Sequence, residues 1–222
     1  MKLLVTTAFQ ETWGKEEEIL FLGEWCRTYH SRNIWGNRNH QTVRNHWDDR
    51  EKLRADEKYL NDLHNMLIIE LSRVLNDFHG LDYTTSYWQM LLDPWLLTYI
   101  AVIWDRWEYI RIAFEEYNPS QTITYDKISP GVGVRDYMQF QDDIVSDLWN
   151  HSLFIEIIKT HYAERLEIIT VEDQKETGCS HLIKNKNNDE SIKIKIFRFL
   201  DSLLRVPSIQ NDYVLYQTYF PP

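Results

Sequence analysis

Two uninterrupted apolar runs near the N-terminus constrain this chain more than any other feature: Leu3-Leu4-Val5 and Ile19-Leu20-Phe21-Leu22. A strand with one wet face alternates apolar and polar residues. A run that is apolar at every position fits a strand covered on both faces, which is the signature of a parallel sheet layered with helices. Residues 2–8 are therefore predicted to form a first strand, and Glu18 to Leu22 a second. Gly23 breaks the second run, and Glu24-Trp25-Cys26-Arg27 is predicted to open a helix. Strand, turn and helix in that order begin a doubly wound α/β sheet.

Residues 31–50, rich in Asn, His and Arg, read as a long loop. The clearest helix follows, with Leu60, Leu63, Leu67, Leu71, Val74, Leu75 and Phe78 recurring at spacings of three and four. Asp56, Glu57, Asp62, Glu70, Arg73 and Asp77 are expected on its other faces, and His79-Gly80 supplies a stop. Asp93-Pro94 reads as the start of a further helix running to about Tyr117, with Trp107, Ile110 and Phe114 inward and Asn118-Pro119-Ser120 as its end. A short strand is expected over Thr122 to Tyr125, then a turn over Ser129 to Val134. One or two helices follow from Asp136 to about His161, with Ile144, Val145, Leu148, Phe154 and Ile158 inward. Residues 172–190 read as an exposed loop, Ile192 to Leu204 as ambiguous, and Tyr213 to Tyr219 as a late strand. The order suggests a helical block, about 50–162, set into a nucleotide-fold-like domain. A sheet normally continues from such a late strand into another helix, so the chain is expected to be the front portion of a longer protein.

The excess of acids gives a net charge of −10, with no basic run. Phosphate backbones and anionic membranes are held by Lys and Arg, so neither nucleic acid nor an anionic lipid surface is an expected partner. The longest uncharged segment of helical character, Pro94 to Trp104, is 11 residues. A spanning helix needs about 20, so no transmembrane segment is expected. Cys26 and Cys179 are the only cysteines and lie in no C-x-x-C pair, which fits reduced thiols in the cytoplasm. Aromatics make up 14% of the chain, including 9 Trp and 13 Tyr, and these serve either as helix-interface filling or as stacking platforms for sugars or bases.

Phosphate-loop, dinucleotide, zinc-protease and nucleophile-elbow motifs are absent from the sequence. Gly131-Val132-Gly133 lacks a third glycine and reads as a turn. Ligands of α/β sheets sit outside the carboxyl ends of the strands. Two segments fall there: Thr6-Thr7 through Trp13, containing Glu11, and Gly23 through Arg27. Glu11 and Glu24 are candidate general bases, with a first-turn helix acid as the alternative for Glu24. Arg27 offers a planar fork for an anion, or a salt bridge to Glu24 or Asp48. His46-Trp47-Asp48-Asp49-Arg50 is the densest polar cluster. It reads as an N-cap for the long helix through Asp48 or Asp49, as acceptor-site contacts, or as ligands of a hard divalent ion. Asp105-Arg106 reads as a buried or half-buried ion pair, and Asp147 to His151 as structural. No cofactor or metal is implied by the motifs.

Leu22-Gly23-Glu24-Trp25-Cys26-Arg27, His46-Trp47-Asp48-Asp49-Arg50, Pro94-Trp95-Leu96, Asp105-Arg106-Trp107 and Asp147-Leu148-Trp149-Asn150-His151 occur in this order. Together with the Thr-Thr-Ala start and Gln217-Thr218-Tyr219-Phe220-Pro221, the set resembles a family of transferases encoded in bacterial O-antigen and surface-polysaccharide gene clusters. The resemblance covers essentially the whole chain. It implies an α/β, Rossmann-like N-terminal domain of a GT-B-type glycosyltransferase, carrying a large helical insertion over one domain, 1–222. It also implies that a separate C-terminal domain, missing here, holds the nucleotide-sugar donor. The expected partner of this part is a glycan or lipid-linked acceptor, met in the cytoplasm and at the inner membrane face. Glu11 and Glu24 are the candidate catalytic residues by position, with Trp13, Trp25, Arg27, His46, Trp47 and Asp48 as candidate acceptor contacts. A non-enzymatic interaction module and a metal-dependent hydrolase built on His46, Asp48 and Asp49 are the alternatives.

Overall fold

A computed structural model of the chain describes residues 1–15, 18–126, 134 and 136–171. The two apolar runs are strands, β1 (Lys2–Val5) and β2 (Glu18–Phe21). They pair in parallel with Leu3 opposite Ile19, Leu4 opposite Leu20 and Val5 opposite Phe21. Each of these side chains is buried although successive ones point to opposite faces, so both faces of the sheet are covered.

A short helix α1 (Arg32–Trp35) and a third strand β3 (His40–Thr42) lie inside the stretch expected to be one long loop. Strand β3 pairs with β2 at the sheet edge and is polar, so no hydrophobic run marks it. The helix expected from Glu24 is instead a pair of single 3-10 turns, Glu24–Cys26 and Tyr29–Ser31. Side chains of the first turn reach across to the end of β1, with Trp25 Nε1 donating to the Thr6 carbonyl at 2.9 Å and Cys26 Sγ to that of Val5 at 3.5 Å. That anchoring holds the segment against β1.

The long helix α2 (Arg50–His79) is capped by Asp49, whose carboxylate accepts from the backbone of Glu51 and Lys52. It ends at Gly80, which takes the left-handed φ of 65° that favours glycine. The next helix does not start at Asp93-Pro94. Helix α3 runs Thr85–Ile112, capped by the Thr84 hydroxyl, with Pro94 in its interior. Proline there removes the N–H that the Met90 carbonyl would accept. Met90 is well exposed, so water can take that acceptor. Asp93 joins the two helices by accepting from His64 of α2 at 2.8 Å and from Gln89 at 3.1 Å. A single π-turn, Ala113–Tyr117, then leads to Asn118 in the left-handed region and to strand β4 (Gln121–Tyr125). Helices α4 (Tyr137–Asp143) and α5 (Asp147–His161) follow, then β5 (Glu167–Val171), which the sequence reading missed.

The leucine stripe of α2 holds in part. Leu60, Leu63, Leu67, Leu71 and Leu75 are half-buried, whereas Val74 and Phe78 are exposed. Val145, expected inward, is also exposed. The deepest positions of α2 are Asp56, His64, Ile68 and Ser72, so Asp56 is not on an outer face as its charge suggested.

All five strands are parallel, in the order β3-β2-β1-β4-β5. The chain therefore reverses direction of travel between β1 and β4, which is a Rossmann-like topology, and the α2–α3 hairpin occupies the β3-to-β4 crossover. The main core joins β1 and β2 to Ile110 and Ile112 of α3, Phe114, Phe140 and the apolar face of α5 with Phe154 and Ile158. Among the described residues no helix is long and apolar enough to cross a membrane. The expectations for 129–133, including the Gly131 to Gly133 turn, and for everything from residue 172 onward, Cys179 included, lie outside the described residues.

Candidate functional site

A polar cleft of about 360 Å³ opens at the carboxyl ends of β2 and β3. The turn after β2 contributes Glu24 and Trp25, the end of β3 contributes Thr42, Val43, Arg44 and Asn45, a 3-10 turn ahead of α2 contributes Asp48, and α3 contributes Tyr109. Strand ends supply these groups because there the backbone leaves the ladder and side chains are free of the layered core.

Trp25 forms the fixed wall. Its indole stacks on Phe154 with centroids 6.1 Å apart and meets the edge of Tyr109 at 4.7 Å, yet 37% of the residue remains exposed. The ring lies directly over Gly23, where an added Cβ would come within 2.1 Å of Trp25 Cζ3. Gly23 has an extended backbone that any residue adopts, so the demand for glycine comes from this close approach and not from strain. Gly23→Ala is expected to expel the indole from the wall and to cost about 1–3 kcal/mol, as forced overpacking does. Urea denaturation, together with the fluorine spectrum of fluorotryptophan-labelled protein (Trp25 assigned through Trp25→Phe), measures both effects. An unmoved Trp25 resonance would show the packing argument to be mistaken.

The charged groups of the cleft differ in how far they are committed. Arg27 chelates both carboxylate oxygens of Glu24. Arg44 holds Glu116 at 2.7 and 3.2 Å. Asp48 has no hydrogen bond or ion pair to its carboxylate among the described residues. Burial pushes the Tyr109 phenol up to about 12, and Asp105 and Asp48 add to the rise.

Behind Tyr109 lies a buried ionic network. His46 is fully buried, donates from Nε2 to Asp105 at 3.0 Å, and sets its ring against Tyr109 at 5.2 Å. Asp105 also pairs with its neighbour Arg106, as the sequence suggested. Lys52 Nζ sits 2.8 Å from Asp56 and 2.7 Å from Glu108, while Arg111 holds Glu108 at 2.8 Å. Trp47, half-buried, donates its Nε1 to Asp56 at 3.1 Å. Burial alone would raise the Asp56 and Glu108 carboxyls. Hydrogen bonds from Lys52 and the Trp104 and Trp47 indoles together outweigh it at Asp56, and those from Arg111 and Lys52 together outweigh it at Glu108, so both lie below the ordinary carboxylate range. His46, Asp56 and Glu108 each offer a ligand atom within 4.8 Å of the others. The ammonium of Lys52 already stands between the two carboxylates and supplies the cation there. His46, Asp48 and Asp49 themselves do not converge on one point: the first is buried, the second faces the cleft, and the third caps α2.

Glu11 and Trp13 are placed elsewhere. Glu11 lies at the ends of β1 and β4, with the Tyr125 hydroxyl 3.5 Å away. Trp13 is 1% exposed, donates to the Thr7 carbonyl at 3.3 Å and packs edge-on against Phe21. It is a core residue. The structure thus brings together Glu24, Trp25 and Asp48 in the cleft, with Arg27 beside them and His46 buried behind Tyr109; Trp47 lines a separate groove between α2 and α3, and Glu11 and Trp13 also lie apart. Thr42, Arg44, Asn45 and Tyr109 were missed. The first three follow directly once β3 is recognised, whereas nothing local in the sequence marks Tyr109.

Near the β1–β4 reversal, His151 of α5 shares a 2.6 Å hydrogen bond with the Thr6 hydroxyl and packs against the rings of Phe9 and Tyr125. Burial lowers its imidazole to about 4. Burial likewise pushes the Cys26 thiol up to about 12, which keeps it protonated and unreactive at neutral pH.

A protein-family model described as LIC12162 family transferase matches residues 2–222. No curated protein and no solved structure matches the chain.

Proposed function

The chain belongs to the LIC12162 family of transferases, and from that premise we propose that it forms the acceptor side of a glycosyltransferase-like enzyme of the GT-B kind. The observation that carries the reading is the cleft at the ends of β2 and β3, where a fixed indole wall stands beside carboxylates, a hydroxyl and an amide. Aromatic faces with carboxylates and hydrogen-bonding side chains suit a polyhydroxylated ligand, whose ring C–H face stacks while its hydroxyls donate to oxygen. In the two-domain architecture that the family resemblance implies, the nucleotide-sugar donor is held by a second α/β domain, and this chain supplies the acceptor side facing it. The proposed setting is cytoplasmic assembly of a surface polysaccharide or O-antigen, with a glycan or lipid-linked acceptor and a peripheral position at the inner membrane face.

The proposed roles follow from the geometry of each side chain. Trp25 stacks the acceptor. Glu24 and Asp48 receive its hydroxyl protons, with Arg27 orienting Glu24. His46 supports Tyr109 from behind, and Trp47 packs on His46. Glu11 stands at the neighbouring strand ends, where a donor approaching from a facing domain would arrive. Saturation-transfer NMR of the 222-residue chain with glucose, galactose, mannose and N-acetylglucosamine tests the reading. Transfer to at least one sugar is expected, and its loss on crowding the cleft with Thr42→Trp. Folded protein that saturates none of the four would sink it.

The interaction-module alternative draws on the α2–α3 hairpin, which exposes Met66, Ile69, Phe78 and Met90. The polar cleft at the strand ends is the reason the acceptor reading stands ahead of it.

A further inference from the structure

We infer that the cleft selects an acceptor bearing a cationic amino group, and that Asp48 is the residue that reads it. The inference rests on the acceptor-side reading above and deepens it.

Charge is unevenly matched among the side chains that line the cleft and the groups that hold them. Glu24 is neutralised by Arg27, and Arg44 by Glu116. Either pair can open toward a ligand, but opening a pair does not change the sum. Asp48 is left over, so the lining carries one net negative charge, and the carboxylate that carries it has no partner among the described residues. A neutral sugar needs no such surplus, because hydroxyls are served equally well by an amide or a paired carboxylate. A phosphorylated or uronic acceptor would be repelled by it.

The surroundings point the same way. The Tyr109 phenol has Asp105, Asp48 and Glu24 as negative neighbours and Arg106 as the opposing one. Asp105 and Glu24 are each paired with an arginine, so Asp48 is the carboxylate that sets the sign of the cleft. The aromatic groups of the lining, Trp25 and Tyr109, add attraction for a cation through their ring quadrupoles. An ammonium beside Asp48 and within reach of these rings gains from both, whereas a hydroxyl gains from neither to the same degree.

The test uses the chain with three probes of one ring shape: glucosamine, glucose and glucuronate. Titrations run at pH 6.5, where a sugar amine is protonated, in 50 mM and again in 500 mM sodium chloride. Glucosamine is expected to bind roughly three- to tenfold more tightly than glucose at low salt, the scale of one ion pair reinforced by a ring contact. Glucuronate is expected to bind more weakly than glucose. High salt should shrink both gaps. In Asp48→Asn, an exposed and nearly isosteric change that leaves the core untouched, the three should converge. Equal affinity for glucosamine and glucose in the unaltered chain, or a preference for glucuronate, overturns the inference while leaving the sugar cleft in place. A preference for glucosamine that survives Asp48→Asn also overturns it. Folded protein that binds none of the three, and none of the neutral sugars above, removes the acceptor reading itself and this inference with it.

Discussion

Between pH 6.5 and pH 4 the protein is expected to lose about 3 kcal/mol of stability through one residue, His151, and the His151→Gln variant should lack most of that slope. An ordinary histidine titrates near 6.5, whereas burial holds His151 at about 4. The sign follows from proton counting. Below pH 6.5 the unfolded chain takes up a proton that the folded protein refuses, so each step toward acid favours unfolding. The loss is complete once the pH passes the folded value, below which both states carry the proton. The difference of about 2.5 units corresponds to roughly 3 kcal/mol at 1.36 kcal/mol per unit, a large share of the 5–15 kcal/mol typical of a folded domain. The structural cause is plain. Nδ1 is engaged by the Thr6 hydroxyl, Nε2 meets no partner among the described residues, and Phe9 and Tyr125 close the sides, so an imidazolium would bury an uncompensated charge. Asp147, one turn earlier on α5, moves in the opposite sense, since burial raises its carboxyl. The informative quantity is therefore the difference between the unaltered protein and His151→Gln in urea midpoints from pH 4 to 7. Parallel slopes would show that His151 is protonated in the folded protein.

How much of this was legible in the sequence depended on whether side-chain chemistry matched depth. Leu3 to Val5 and Ile19 to Leu22 announced two-face-buried parallel strands because every position was apolar. Asp49 and Gly80 marked both ends of α2 through capping chemistry that is local by nature. Strand β3 was invisible because His40-Gln41-Thr42 sits at a sheet edge, where polar side chains are tolerated. Missing it also hid Thr42, Arg44 and Asn45, the cleft residues that follow. Asp93-Pro94 misled because the same dipeptide starts a helix when its neighbours are solvated and continues one when Met90 can surrender its carbonyl to water. The hardest error was Asp56. Periodicity assigns charge to the outside, and Lys52-x-x-x-Asp56 looks like an ordinary surface pair. Only the fold, by bringing Glu108 from α3 to the same ammonium, makes that pair interior.

That interior pair carries the second large expectation. Lys52→Met should destabilise the protein by about 3–5 kcal/mol, the usual consequence of removing one partner from a buried ionic group. The ammonium is partly accessible, but the acids it serves are not: the Asp56 and Glu108 side chains are 9% and 3% exposed. With Lys52 gone, Glu108 keeps Arg111, whereas Asp56 loses its nearest cation and keeps the indoles of Trp47 and Trp104, so most of the loss arises at Asp56. Lys58→Met provides the control, because Lys58 and Asp62 have the same spacing on the same helix but stand in water. No measurable change is expected there. The pH dependence separates a charge effect from lost packing. Both carboxyls of the network lie below their ordinary values, so the stability they contribute is fully present above the usual carboxylate range and is lost as the pH falls through the folded values. Lys52→Met should raise those values, which makes the gap between the two proteins widest near neutrality and narrower toward pH 3. A gap that stays constant with pH would assign the cost of Lys52→Met to packing of the lysine stem against Trp104, over whose ring the ammonium lies at 5.7 Å, and not to the stranded acids.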